Sequence, residues 1–201
     1  MGDRVRFDGW IAGVGTTEGT RLVLGHWPVS PFGPVSDVMI EDSAGRRTLL
    51  ATSSQLGEFV AATYRFDEVR VVPVDVRRSG ARWSVTAGPL DYAFTTGPRG
   101  PLGLLLRAVP RWLAGSPAWV RLVDLPARVV LPGVRTHGSA GNGRYEWYGA
   151  RDLRPIVGAT ARFDGRDLGA PAEIDPPVQF GFGSTPKAPS LVRITTTIDL
   201  P

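Results

Sequence analysis

His26, Ser30 and Asp37 stand close together in the stretch Thr20–Thr52, which mixes reactive and aromatic side chains more densely than any other part of the chain. An imidazole, a hydroxyl and a carboxylate are the parts of a nucleophilic triad. Here no G-x-S-x-G elbow and no strand–turn–helix context accompanies them. His26 or Asp37 alone could act as an acid or base. Against this, His26 shares its strand face with Leu22 and Leu24, which is where a hydrogen-bonded core histidine sits. The other histidine, His137, falls in a glycine-rich loop and reads as solvated.

A metal site would need both histidines to converge with carboxylates such as Asp37 or Glu41, and no HxH or HExxH spacing exists. With no cysteine in the chain, zinc thiolates, cysteine-ligated iron–sulfur clusters, thiol nucleophiles and disulfides are excluded. The run GVGTTEG at Gly13–Gly19 lacks the GK[ST] ending of a phosphate loop. No cofactor or metal is expected. Lys187, the one lysine, lies between prolines in GSTPKAPS. A lysine desolvated inside a barrel can form Schiff bases, as in enzymes of the acetoacetate decarboxylase type. Their sequence pattern is missing here, and an exposed loop lysine is the plainer reading.

The aromatics carry a second kind of chemistry. Trp10, Trp27 and Phe32 in the first strands, with Tyr145 and Trp147 on one face of RYEWY, are suited to line a small-molecule cavity, offering large apolar area with a polar handle. The same residues also fill ordinary cores.

Alternation positions these groups. Val5–Val14, Arg21–Trp27, Val35–Glu41 and Arg46–Ala51 read as consecutive strands, with Pro28, Pro31, Gly33 and Pro34 forcing a rigid corner. The period then changes to helical over residues 55–64, with Thr52 and Gln55 as a capping box. Strands resume at Glu68–Arg77, where Pro73 suits an edge or a bulge, and continue at Arg82–Ala87 and Leu90–Thr95. The break GPRGPLG at Gly97–Gly103 precedes a second helix at about 103–114, kinked by Pro110. Further strands are expected at Ala118–Val123, Ala127–Leu131, Arg144–Arg151, Ile156–Phe163, Val178–Phe182 and Leu191–Leu200.

About a dozen strands and two short helices predict a mainly β fold, an antiparallel β-barrel or two packed antiparallel sheets. The 201 residues suit a single domain, 1–201, with 97–103 as the one place for a subdivision. Glycine (25) and proline (18) are spread along the chain and punctuate many short elements. The net charge of +4 rests almost wholly on arginine, which reflects composition more simply than nucleic-acid binding, and no nucleic acid is expected. With no apolar leader and no run of membrane-spanning length, a cytoplasmic chain without a transmembrane segment is expected.

The runs SPFGPVSDVMIED, RRTLLA and EFVAATYRFDEVRVVPV resemble a family of uncharacterised proteins from high-GC actinobacteria, a resemblance that covers the first half of the chain and implies no activity. The strand count and the early Gly9–Trp10 pair resemble calycins (lipocalin-like barrels), whose signature is Gly-x-Trp; here the two are adjacent. Three readings follow. The first is a barrel binding a small, largely apolar ligand among Trp10, His26, Trp27, Phe32, Tyr145 and Trp147, with Asp37 and an arginine orienting it. The second is an enzyme on that scaffold using His26 or Asp37. The third is a homodimer or membrane-surface module acting through Leu104–Leu113, where Leu104, Leu105, Leu106, Val109, Trp112 and Leu113 mix with Arg107 and Arg111.

Overall fold

Alternating apolar residues build the first half of the molecule as expected. The computed structural model describes residues 3–130, 134–181 and 185–201. Its first four strands are β1 (Arg4–Thr16), β2 (Arg21–Val29), β3 (Val35–Glu41) and β4 (Arg47–Ala51), an antiparallel meander. Helix α1 (Ser54–Ala61) then carries the chain over to β5 (Glu68–Val71), which pairs with β4 in parallel. This departs from the purely antiparallel expectation. A parallel neighbour needs a crossover, and α1 supplies one. Ser53, and not Thr52, caps that helix, its Oγ accepting the Leu56 amide at 3.2 Å. Thr52 is engaged elsewhere, donating to the Ser36 carbonyl at 2.6 Å.

After a corner at Val72–Pro73 come β6 (Val74–Ser79), β7 (Arg82–Ala87) and β8 (Leu90–Thr96). The next segment is helical throughout: α2 (Pro101–Ala108), α3 (Arg111–Ala114) and α4 (Pro117–Val130). The break between α2 and α3 falls at Val109–Pro110, where proline cannot continue the helix. The strands expected at Ala118–Val123 and Ala127–Leu131 are one helix, with Leu131 outside the described residues. Pro117 opens the helix at its first position, where its missing N–H costs nothing, and Val120 is buried.

The chain returns through β9 (His137–Ser139) to β10 (Tyr145–Phe163), one long strand where two were expected. β11 (Arg166–Asp167) and β12 (Pro171–Ala172) are short, and β13 (Ser190–Asp199) is the clean alternating strand that LVRITTTIDL predicts. Val178 and Phe180 are buried without joining a ladder, so their alternation reflects packing of an irregular segment; Phe182 lies outside the described residues.

Among the described residues, all thirteen strands belong to one sheet, whose main path runs β5-β4-β3-β2-β1-β13-β10-β8-β7-β6. The Gly97–Gly103 break leads from β8 into α2, and the strands on either side of it, β8 and β10, pair with each other. The sheet curls into a half-barrel, and its concave face closes on a core that joins Leu22, Leu24 and Val38 from one end with Trp83, Tyr92 and Phe94 from the other. Trp83 and Phe94 are fully buried, so side chains fill this interior. The convex face of β1, β2, β3 and β13 carries Phe7, Trp27, Val192 and Ile194 against α1 and the later segments.

Candidate functional site

Strand alternation sorts the chemistry-bearing residues onto two faces. His26 pairs with Ser36 across β2 and β3, and Gly25 pairs with Asp37, so the imidazole and the Asp37 carboxylate point to opposite sides of the sheet. His26 Nδ1 lies 2.9 Å from Ser36 Oγ, and its ring stacks on Trp10 at 5.7 Å, beside Trp83. Burial, reinforced by the charge of Arg193, pushes its pKa below the ordinary value. Ser30 does not join either group. Its Oγ donates to the Gly33 carbonyl at 2.6 Å and accepts the Phe32 amide, holding its own turn. The triad of Ser30, His26 and Asp37 is therefore not assembled.

Asp37 lies buried on the convex side. Its Oδ1 accepts the Trp27 indole N–H at 3.1 Å, and Oδ2 has no hydrogen-bond partner among the described residues. Gly25 makes that bond possible: a Cβ there would lie 2.6 Å from both Asp37 Oδ1 and Trp27 Nε1. Burial without a countercharge raises the Asp37 carboxyl to about 7, the single indole bond pulling weakly the other way. Glu146, on β10, is fully buried in the same region. Tyr64 donates its hydroxyl to the Glu146 carboxylate at 2.9 Å, Tyr148 donates at 3.1 Å, and the two phenols are 2.8 Å apart. Desolvation outweighs these bonds and lifts Glu146 to about 7, while burial drives Tyr64 well upward. Asp37, Trp27, Glu146 and Thr196 line a small chamber of about 50 Å³, walled by Phe7 and Leu56. Thr196 Oγ1, like Asp37 Oδ2, has no partner among the described residues.

Tyr64 and Tyr148 also line a much larger cavity of about 440 Å³. It lies between the convex face (Ile11, Val23, Val192, Ile194), the helices α2–α4 (Leu102, Leu106, Val120) and the irregular segment at Val178 and Phe180. Close backbone approach puts the helices there. A Cβ at Gly103 would lie 2.2 Å from the Leu153 carbonyl, and one at Gly149 the same distance from the Ala114 carbonyl. Asp124 ties α4 down, accepting the Thr136 amide at 2.9 Å and its hydroxyl at 2.8 Å.

None of the seven residues singled out for a ligand cavity lines this one. Trp27 and Asp37 line the small chamber next to it. Phe32 packs on Phe7 and Phe59 at the rim of the same core. Trp10 and His26 face the concave side. Tyr145 and Trp147 form a separate group, their rings 4.7 Å apart, with the Tyr145 hydroxyl 2.6 Å from His137 Nδ1 and Arg4 over the Trp147 ring. Lys187 is exposed between Glu173 and Asp175 at 3.2 Å each, and those partners raise its pKa, the opposite of what a Schiff-base amine needs. Among the described residues no group of three or more metal-ligating side chains converges. No described helix is long and apolar enough to cross a membrane. Leu104, Leu105 and Trp112 of the 104–113 segment are exposed, Trp112 at 78 %.

Sequence reasoning passed over Tyr64, Tyr148 and Glu146. The available signal was the face opposite Tyr145 and Trp147 in RYEWY: a glutamate between aromatics on a strand demands buried partners.

No protein-family model matches the chain, and no curated protein matches it. Among solved structures, the acetoacetate decarboxylase of Legionella pneumophila is similar at 11 % identity and a TM-score of 0.44, covering 98 % of this chain and 85 % of that one. No residue role is carried over from it.

Proposed function

We propose that the protein binds a small, largely apolar ligand in the cavity of about 440 Å³ on the convex side of the half-barrel. The observation that carries this is the lining: Leu, Ile, Val and Phe side chains dominate, with Tyr64, Tyr148 and Thr136 among the few polar groups. Water in such a space lacks the two to four polar partners that hold it in place. An apolar molecule loses nothing by entering, and the volume falls in the roughly 300–1,000 Å³ range of small-molecule sites. The chamber behind the two tyrosines would seat a hydroxyl or carbonyl against Asp37 or Thr196.

Native and denaturing mass spectra of freshly purified protein test this, together with the fluorescence of Nile red, a neutral apolar probe. Expected are extra mass that disappears on denaturation and Nile red enhancement that Ala150→Phe, a cavity-filling change, abolishes. Bare mass in both spectra with no probe enhancement sinks the reading. One observation favours an enzyme as the second reading: Asp37 is buried in the chamber with Oδ2 unpartnered among the described residues, and burial raises its carboxyl to about 7, where a general acid or base works. His26, on the other face, does not share that role. The enzyme reading expects Asp37→Asn to abolish turnover while leaving Nile red binding intact.

A further inference from the structure

Six arginines from four separate parts of the chain meet at the mouth of the concave face. Arg78 from β6, Arg99 ahead of α2, Arg107 from α2, Arg151 and Arg154 from β10, and Arg193 from β13 line a pocket of about 380 Å³, with Trp10 and Thr96. Among the described residues, Asp152 is the only acid lining it. Asp8, just outside, bonds Arg151 and Arg193. Six positive charges against these two carboxylates leave an excess of four. At β13 the sheet separates the pocket from the apolar cavity, Leu191 and Arg193 facing the one while Ser190, Val192 and Ile194 face the other; after α2, Val109 lines both.

The internal partners position some of these groups and leave others open. Arg99 grips Asp152 through Nε and Nη2 at 2.8 Å. Arg193 lies over the Trp10 ring at 4.1 Å and Arg78 over Trp83 at 5.1 Å, so aromatic faces fix both guanidinium planes. Arg154 reaches Asp152 only at 3.9 Å, and Arg107 pairs with no carboxylate among the described residues. Like charges gathered in a concave site repel one another and focus a positive potential. The neutral state of His26 beneath, favoured partly by Arg193, fits that field. An oxyanion relieves the repulsion and matches the planar donor fork of arginine.

We infer that this pocket binds a compact anion bearing two or more negative charges, as phosphate or carboxylate groups, with Arg107 and Arg154 supplying the open donors. Phosphoryl and polycarboxylate ligands share this chemistry, and the test separates them. Calorimetric titrations of the full chain use inorganic pyrophosphate, citrate and, as a monoanion, acetate, at constant ionic strength. Pyrophosphate, citrate or both bind, and acetate does not; whichever binds assigns the class. Arg107→Gln and Arg154→Gln each weaken binding roughly 10- to 100-fold, the loss expected for one charge-assisted hydrogen-bonding group. Arg107 is exposed, so its variant tests binding without risk to folding. Nile red fluorescence of both variants stays at the wild-type level, which separates this site from the apolar cavity. Absence of binding by both polyanions, equal binding of acetate, or unchanged affinity in both variants overturns the inference.

Discussion

Replacing Asp37 by Asn tests the reading of the convex-side chamber most directly. In the fold the carboxyl has a pKa of about 7, against an ordinary value of 3.8. A raised carboxyl pKa means that the folded state holds its proton more tightly than the unfolded chain. Below pH 3.8 both states are protonated and Asp37 adds no pH dependence. Between 3.8 and about 7 the unfolded chain ionises while the fold resists, so stability falls as pH rises; above about 7 the loss is complete. At about 1.4 kcal/mol per pH unit, the interval corresponds to a ceiling of about 4 kcal/mol. Asn keeps the oxygen that accepts the Trp27 N–H and removes the titration. Urea unfolding of wild type and Asp37→Asn, measured from pH 4 to pH 8.5, should show the variant gaining on wild type across this window, then running parallel. A stability difference that stays flat with pH refutes the assigned burial and the absence of a countercharge.

Trp27→Phe removes the one bond that lowers the Asp37 pKa. The pH-dependent loss should then extend to higher pH, and the variant should be less stable than wild type by about 1–3 kcal/mol at pH 8.5, read by the same unfolding series. Gly103→Ala places a methyl 2.2 Å from the Leu153 carbonyl, so α2 must lift from β10. Overpacking of this kind costs about 1–3 kcal/mol, and Nile red enhancement should fall with the displaced helix. Trp112→Glu removes a side chain that is 78 % exposed, so the melting temperature should hold. If residues 104–113 join two copies, light scattering will show a wild-type dimer and a monomeric variant; a wild-type monomer removes that reading.

The strands were legible wherever one face is buried and the other is not, because period-two alternation is then forced. β7 and β8 are of this kind; β2, β3 and β13 are buried on both faces and were legible instead as short runs of apolar and β-branched residues bounded by turns. The α4 segment was not legible, since valines and Pro126 mimic a broken strand, and only tertiary packing of Val120 against the sheet decides for helix. The large cavity was hidden for a similar reason. Its walls come from α2–α4, β13 and Phe180, elements far apart in the chain whose convergence no local pattern encodes. Arginines 99, 154 and 193 likewise look like scattered surface charge until β10 and β13 pair. The histidine drew attention first because it is chemically conspicuous, yet its ring spends its hydrogen bond on Ser36.

The corner at Val72–Pro73 has a consequence for how the chain folds. It joins the two edge strands, β5 and β6, while the first and last strands, β1 and β13, lie side by side in the middle of the sheet. Beginning at Val74 and passing through joined termini, the order along the chain becomes the order across the sheet, apart from the short strands off the main path. The strand order is thus a cyclic rearrangement of a nearest-neighbour meander. Within 4–71 and within 74–199 neighbouring strands pair close in sequence, so the expected order of folding has the seam between them closing last, across a separation of 195 residues at Arg4–Asp199. Closing a loop of that length costs an entropy of about 5 kcal/mol before its contacts form. A permutant opened at Val72–Pro73, with its original ends linked, converts that closure into a hairpin and should refold faster at similar stability.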